Sequence, residues 1–256
     1  MRTLVIIILA LMASAFALQV AAETYVVVVG IAQYQDSRAN LFLPEKDART
    51  VAAIYKARTE HVATLTGRQA TRANIIKVMN AQFAKAGKGD MVVLFFSGHG
   101  YEGGFCPYDT GPRFSNTLTY EDIYSVFRHC RATRKVVIAD ACMSGGIRSK
   151  KRSHSRAKSK SDVVMFLSSR TNEKSIETPR MQNGYFTAYL DRGLRGGADA
   201  NRDRVITAKE IFTYVSQGVK SLSKGRQHPV MWGNFDDNFV MIDWRKCQPQ
   251  VSKVVQ

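Results

Sequence analysis

One cysteine and one histidine stand where two apolar runs of the chain end. His99 follows Met91-Val92-Val93-Leu94-Phe95-Phe96 and Ser97-Gly98, and Cys142 follows Lys135-Val136-Val137-Ile138-Ala139 and Asp140-Ala141. A free thiol titrates near about 8.5 and is little ionised at neutral pH, so a nucleophilic cysteine needs an imidazole beside it. The glycines nearby, Gly98, Gly100, Gly145 and Gly146, allow tight turns and leave backbone N–H groups free to face an oxyanion. A cysteine alone is more often a small buried hydrophobe, and a histidine alone a loop residue. Two such residues at equivalent strand ends are what attack on a carbonyl with acid/base assistance requires.

A second pattern has metal-ligand spacing. Asp199, Asn201, Asp203, Thr207 and Glu210 fall at positions one, three, five, nine and twelve of an EF-hand-type loop, with the Val205 carbonyl at seven and Ile206 at the apolar eighth position. Calcium is the cation this set would hold. The sixth position is Arg204, where that loop wants glycine, and no paired second loop is evident. The same residues also read as an acidic turn capping a helix that begins near Thr207.

The elements that must position these groups follow from periodicity. Tyr25-Val26-Val27-Val28-Val29, closed by Gly30, is a continuous β-branched run of the kind buried on both faces. Met91–Phe96, Lys135–Ala139 and Val163–Leu167 read alike, and Val62–Leu65 reads as a shorter strand. Helical spacing predicts helices over Glu45–Arg58 (Ala48, Val51, Ala52, Tyr55) and Thr71–Ala84 (Ile75, Val78, Met79, Phe83), then over Tyr120–Phe127, Tyr185–Leu194 and Thr207–Val219. Strands alternating with helices imply an α/β fold with a mostly parallel central sheet and helices on both faces. Ligands bind such sheets beyond the carboxyl ends of the strands, where His99 and Cys142 gather.

Taken as a pair, Phe95-Phe96-Ser97-Gly98-His99-Gly100 and Asp140-Ala141-Cys142-Met143-Ser144-Gly145 resemble in order and spacing the motifs of the caspase and metacaspase superfamily, with bacterial caspase-like peptidases nearest. The resemblance runs from about Tyr25 to Trp244 and includes Leu43-Pro44-Glu45-Lys46-Asp47-Ala48. It implies Cys142 as nucleophile, His99 as acid/base, and the N–H groups of Gly100 and Cys142 as the oxyanion donors. It also implies that Asp47 and Asp140 line the pocket for the residue before the cut, so that cleavage follows Arg or Lys. The chemistry agrees, since two partly buried carboxylates attract a guanidinium or an ammonium. Asp47 can also serve a helix N-terminus, and Asp140 a turn. Met143 departs from the family, where His is usual. No metal or organic cofactor is required for the chemistry, and calcium stays an additional expectation.

Arg2, the apolar run Leu4–Met12 and the small residues through Ala22 read as a signal peptide, cut after Ala17 or Ala22. The same stretch is almost long enough for an uncleaved anchor across a bilayer of about 30 Å. The expected organisation is a signal peptide over 1–22, one domain over 23–245 and a polar tail over 246–256. The protein is expected to be exported, periplasmic or secreted, with no transmembrane span once the signal is cut. About 230 residues remain, enough for one core. Of the formal net charge of +16, seven positive charges lie in Arg148–Lys160, which holds no acid. Without apolar periodicity, 148–161 reads as a flexible basic loop. In the caspase superfamily the linker between the two halves of the domain lies here, so self-cleavage is an expectation, against polyanion binding or a plain solvated loop. Three cysteines besides Cys142 remain, Cys106, Cys130 and Cys247. One pair could bridge in an oxidising compartment, and spacing slightly favours Cys106 with Cys130. The expected partner is a protein or peptide with a basic residue at the cut, and no specific nucleic acid. The alternatives are a catalytically silent caspase-like binding or regulatory module, and a basic polyanion-binding exported protein.

Overall fold

The computed structural model describes residues 22–101, 103–141, 162–170, 181–233 and 238–246. Its centre is a six-stranded sheet in the order β10-β8-β7-β3-β1-β2. The strands are β1 (Thr24–Gly30), β2 (Val62–Thr66), β3 (Met91–Gly98), β7 (Arg134–Ala141), β8 (Asp162–Leu167) and β10 (Val230–Gly233). The first five run parallel, and β10 pairs antiparallel with β8 at the edge. The expected fold class is therefore the observed one.

Each central strand is buried on both faces. Val27 and Val29 face one core with Val92, Leu94, Phe96, Val137 and Ala139, while Val26 and Val28 face another with Val93, Phe95, Val136 and Ile138. That is why these strands read as unbroken apolar runs instead of alternating ones. Helices α2 (Arg72–Phe83) and α3 (Tyr120–His129) cover the first face through Ile75, Met79, Phe83, Ile123 and Phe127. Helices α1 (Pro44–Lys56), α4 (Tyr185–Arg192) and α5 (Ala208–Leu222) cover the second through Val51, Ile54, Phe186, Leu190, Ile211 and Val215. Both α3 and α5 start with a threonine whose side chain caps the helix while the acid three residues on returns the bond, Thr119 with Asp122 and Thr207 with Glu210.

Two smaller sheets were not foreseen. One joins β4 (Gly100–Tyr101), β5 (Gly104–Phe105) and β6 (Leu118–Thr119), and the other pairs β9 (Val205–Thr207) with β11 (Val240–Asp243). The first continues directly from β3. Among the described residues no helix is long and apolar enough to cross a membrane.

The winding fixes where a site can form. From β1 the chain crosses by α1 to β2 at one edge, then returns by α2 to β3 on the other side of β1. The helices reached after β1 and β3, α1 and α3, thus lie on opposite faces, opening a crevice at the carboxyl ends of these strands.

Candidate active site

His99 stands in that crevice, one residue past β3. Its backbone N–H donates to the Tyr34 hydroxyl at 2.7 Å, and its ring lies against the Tyr34 ring with centroids 5.0 Å apart. Such closeness needs the glycine before it: a Cβ on Gly98, where φ is +155°, would lie 2.7 Å from the Tyr34 oxygen. The His99 Nε2 is 2.8 Å from the Ala39 carbonyl oxygen. A carbonyl can only accept, so Nε2 carries the proton and Nδ1 of the neutral ring has the free lone pair. Ala39 is held by a loop that closes on itself. Leu41 N donates to Ala32 O at 2.7 Å, Tyr34 N to Asn40 Oδ1 at 2.9 Å, and Asp36 caps the short turn Ser37–Ala39. The Arg38 guanidinium on Asp36 holds that carboxyl down at about 2.

Asp47 and Asp140 meet on the other face of the sheet, 2% and 6% exposed. Asp47, in the first turn of α1, accepts from Ser97 Oγ at 2.9 Å, Asn183 Nδ2 at 2.9 Å and Gly184 N at 3.1 Å. Asp140, near the end of β7, accepts from Thr187 N at 3.2 Å and Thr187 Oγ1 at 2.9 Å. A Cβ on Gly184 would lie 2.7 Å from an Asp140 oxygen, so the chain before α4 must be glycine to close over the pair. Burial first, and the Asp140 charge second, push the Asp47 carboxyl up to about 7, against the pull of its neutral donors. Two acids buried together resist ionisation unless a cation joins them.

β7 ends at Ala141. Its N–H donates to Ser168 Oγ at 3.1 Å, and its carbonyl accepts from the Ser168 and Ser169 hydroxyls at 3.2 and 3.5 Å. Both serines are fully buried just past β8, and Gln227 Nε2 donates to the Ser168 carbonyl at 3.0 Å. The strand end that leads into Cys142 is thereby fixed from its neighbour. Cys142 itself, with Met143–Gly146 and the basic segment 148–161, lies outside the described residues. Gly100, the other residue expected to face an oxyanion, follows His99 in β4, opposite Phe105.

The structure thus brings Asp47 to Asp140 and sets His99 at an adjoining strand end. Sequence reasoning missed Tyr34, Ala39, Ser97, Asn183, Gly184, Thr187, Ser168 and Ser169. Only Asn183-Gly184 had a local signal, that of a turn.

The family model of the caspase domain matches residues 23–240. The chain belongs to the caspase-domain peptidase family. No curated protein matches it. A solved structure similar to this caspase domain is a crystal structure of a protein from Geobacter sulfurreducens. The two are 20% identical, with a TM-score of 0.61 over 82% of this chain and 93% of that one, a likeness of fold. A caspase domain is a cysteine peptidase domain, and its substrates are proteins.

Two further expectations fall elsewhere on this caspase domain. In the acidic loop, Asp199 accepts from the N–H groups of Asp203 and Arg204 at 3.1 and 2.9 Å, and Asp203 from that of Val205 at 2.8 Å. Glu210 accepts from Ala200 N and, through its other oxygen, from Thr207 N and Oγ1. Arg202 and Arg204 adopt φ of 61° and 66°, and Arg204 occupies the left-handed position that glycine fills in an EF-hand loop. Among the described residues no group of three or more His, Cys, Asp or Glu is gathered as a metal site.

The favoured Cys106–Cys130 pairing is not what the structure has. Both are free, buried thiols. Cys106 sits beside His99, its N–H on the His99 carbonyl at 2.9 Å, whereas Cys130 ends α3 with Sγ donating to Phe83 O. Cys106 follows β5, which pairs with the strand leading into α3, whereas Cys130 caps the far end of that ten-residue helix. Cys247, the tail, and residues 1–21 with the signal segment lie outside the described residues.

Proposed function

We propose that this caspase domain is an exported endopeptidase that cuts after Arg or Lys, with Cys142 as nucleophile and His99 as its acid/base partner. The observation that carries the specificity is the Asp47 carboxyl, buried against Asp140 and raised to about 7 with only neutral donors of its own. A guanidinium entering this pocket replaces charge repulsion by two attractions and lets Asp47 ionise. In the reaction, the Cys142 thiol gives its proton to His99 Nδ1 as Sγ forms a bond to the scissile carbonyl carbon, and the N–H groups of Gly100 and Cys142 receive the oxyanion. The C–N bond then breaks as His99, protonated on both nitrogens, gives a proton from Nδ1 to the leaving amine. Water hydrolyses the thioester and restores the thiol. The Ala39 carbonyl keeps the ring turned with Nδ1 toward this chemistry throughout.

The same specificity directed at Arg148–Lys160, a few residues past Cys142, is the basis for proposing self-cleavage there. For the acidic loop we propose weak calcium binding, supported by its spacing and by the left-handed Arg204.

The test uses protein beginning at Glu23 and fluorogenic peptides ending in Arg, Lys or Asp, with and without calcium, beside Cys142→Ala. Cleavage after Arg and Lys by the wild type alone is expected. Cleavage after Asp only would refute the pocket, and none at all would favour a silent binding module. Equal fragmentation of wild type and Cys142→Ala would exclude self-processing.

A further inference from the structure

The acid pair and His99 occupy opposite faces of the same strand ends. Ser97 and Asp140 point with Phe95 and Ile138 toward the α1/α4/α5 face, whereas the His99 ring packs on Tyr34, which belongs to the α2/α3 core. A peptide whose basic side chain enters the acid pocket must therefore cross the strand ends to reach the imidazole. The leaving amine takes its proton from that ring, so the residues after the cut run on over the His99 side.

An aromatic platform waits on that side. The chain from His99 is extended: Gly100 pairs with Phe105, Tyr101 with Gly104, and Cys106 N donates to His99 O. Residues 99 and 101 thus share a face. The Tyr101 ring is stacked on Phe114, centroids 5.2 Å apart and planes 12° from parallel, and its hydroxyl lies 2.8 Å from Thr117 Oγ1. Phe114 remains 59% exposed.

The backbone beneath Phe114 is held at a cost. Arg113, Phe114 and Asn116 have φ of 54°, 58° and 58°, left-handed values that bulky residues avoid. The turn persists because Gly111 N donates to Ser115 O and because Asn116 Nδ2 donates to Asp109, whose carboxylate also accepts from Arg72 N at the start of α2. A glycine would suit residue 114 better for folding. The fold instead keeps a large apolar side chain in a strained position, exposed against Tyr101, two residues past His99.

We propose that the Tyr101–Phe114 stack is a subsite for an apolar, preferably aromatic, side chain within the first two residues after the cut. The assignment rests on the peptidase reading above and adds a second determinant to it. An offset ring on this platform contributes roughly ten-fold in affinity.

The test is a factorial one on Cys142→Ala protein from Glu23 onward, so that binding is read without turnover. Labelled peptides carry Arg or Ala at the position expected before the cut and Phe or Ala at the next two, and fluorescence anisotropy gives their Kd. Replacing Phe by Ala should weaken binding about ten-fold. That ratio should fall to near one in Phe114→Gly, which relieves the backbone, and persist in Phe114→Tyr. An unchanged Phe/Ala ratio in Phe114→Gly, or no Phe preference in the parent, overturns the subsite. An Arg/Ala ratio near one with the Phe preference intact overturns the acid pocket alone.

Discussion

Replacing Asp47 by asparagine keeps the shape of the acid pocket and removes one of its charges. The amide oxygen can accept from Asn183 and Gly184 as the carboxylate does, and the amide nitrogen can donate to the Ser97 hydroxyl, which turns to accept. What changes is the electrostatic cost. Asp47 ordinarily titrates at 3.8 and is raised to about 7 in the fold, so the native state holds a proton that the unfolded chain has already released. Wild-type stability therefore falls as pH rises from about 4 to about 7, and the loss is complete above that window. At ~1.4 kcal/mol per pH unit, the gap corresponds to on the order of 4 kcal/mol at pH 8. In a domain of this size that is a melting temperature roughly 10 °C higher for Asp47→Asn at pH 8, with the two proteins converging below about pH 4. Thermal scans from pH 4 to 8 measure this, and kcat/KM on an arginyl peptide should fall in the same variant. Lower stability of Asp47→Asn at pH 8, or a difference independent of pH, would refute the assignment of that cost to the buried pair.

Tyr34→Phe leaves the His99 N–H without its acceptor and should lower stability by about 1–3 kcal/mol in denaturant titration, together with kcat. Cys106 and Cys130 should alkylate as free thiols on unfolding and show no mutual disulfide in non-reducing peptide mapping. In the folded state Cys106 should react slowly, its thiol pushed up to about 11 by burial. Glu210→Ala removes half of the cap of α5 and should cost about 1 kcal/mol in calcium-free buffer. A loss of stability that appears only with calcium would mean that the residue serves the cation instead.

The large strands were legible because burial on both faces leaves a continuous β-branched signature, seen in Val26–Val29 and Val136–Ile138. Their ends were less so. β3 runs on through Ser97 and Gly98, polar and small, because Gly30 on one side and Asp140 and Ala141 on the other continue its ladders. The two-residue strands of the sheet beyond His99 are shorter than any periodic window. At the site, Asp47 and Asp140 were read through motif resemblance, and their mutual burial bears on that reading independently. Asn183, Thr187 and Ser168 act through contacts 27 to 136 residues away in the chain, which no local pattern encodes. The spacing of the acidic loop carried two meanings at once, since Thr207-x-x-Glu210 is both a capping box and the end of a calcium pattern.

Several departures from easy folding collect at one edge of this sheet. Gly98 is required by the Tyr34 hydroxyl, Gly184 by the Asp140 carboxylate, Asp47 is raised by burial and then by the Asp140 charge, and Phe114 stays in a left-handed turn. At the opposite edge Asp90 accepts from Gly87 N at 2.7 Å and Glu23 N at 2.8 Å and ties the start of β1 to the approach to β3. Local conflict concentrated in this way is what a fold retains where the conflict has a use. The carboxyl edge gives up stability to keep two buried acids on one face and an exposed ring on the other. Substitutions that relieve those conflicts should stabilise the protein and weaken its grip on a peptide, each on its own side of the cut.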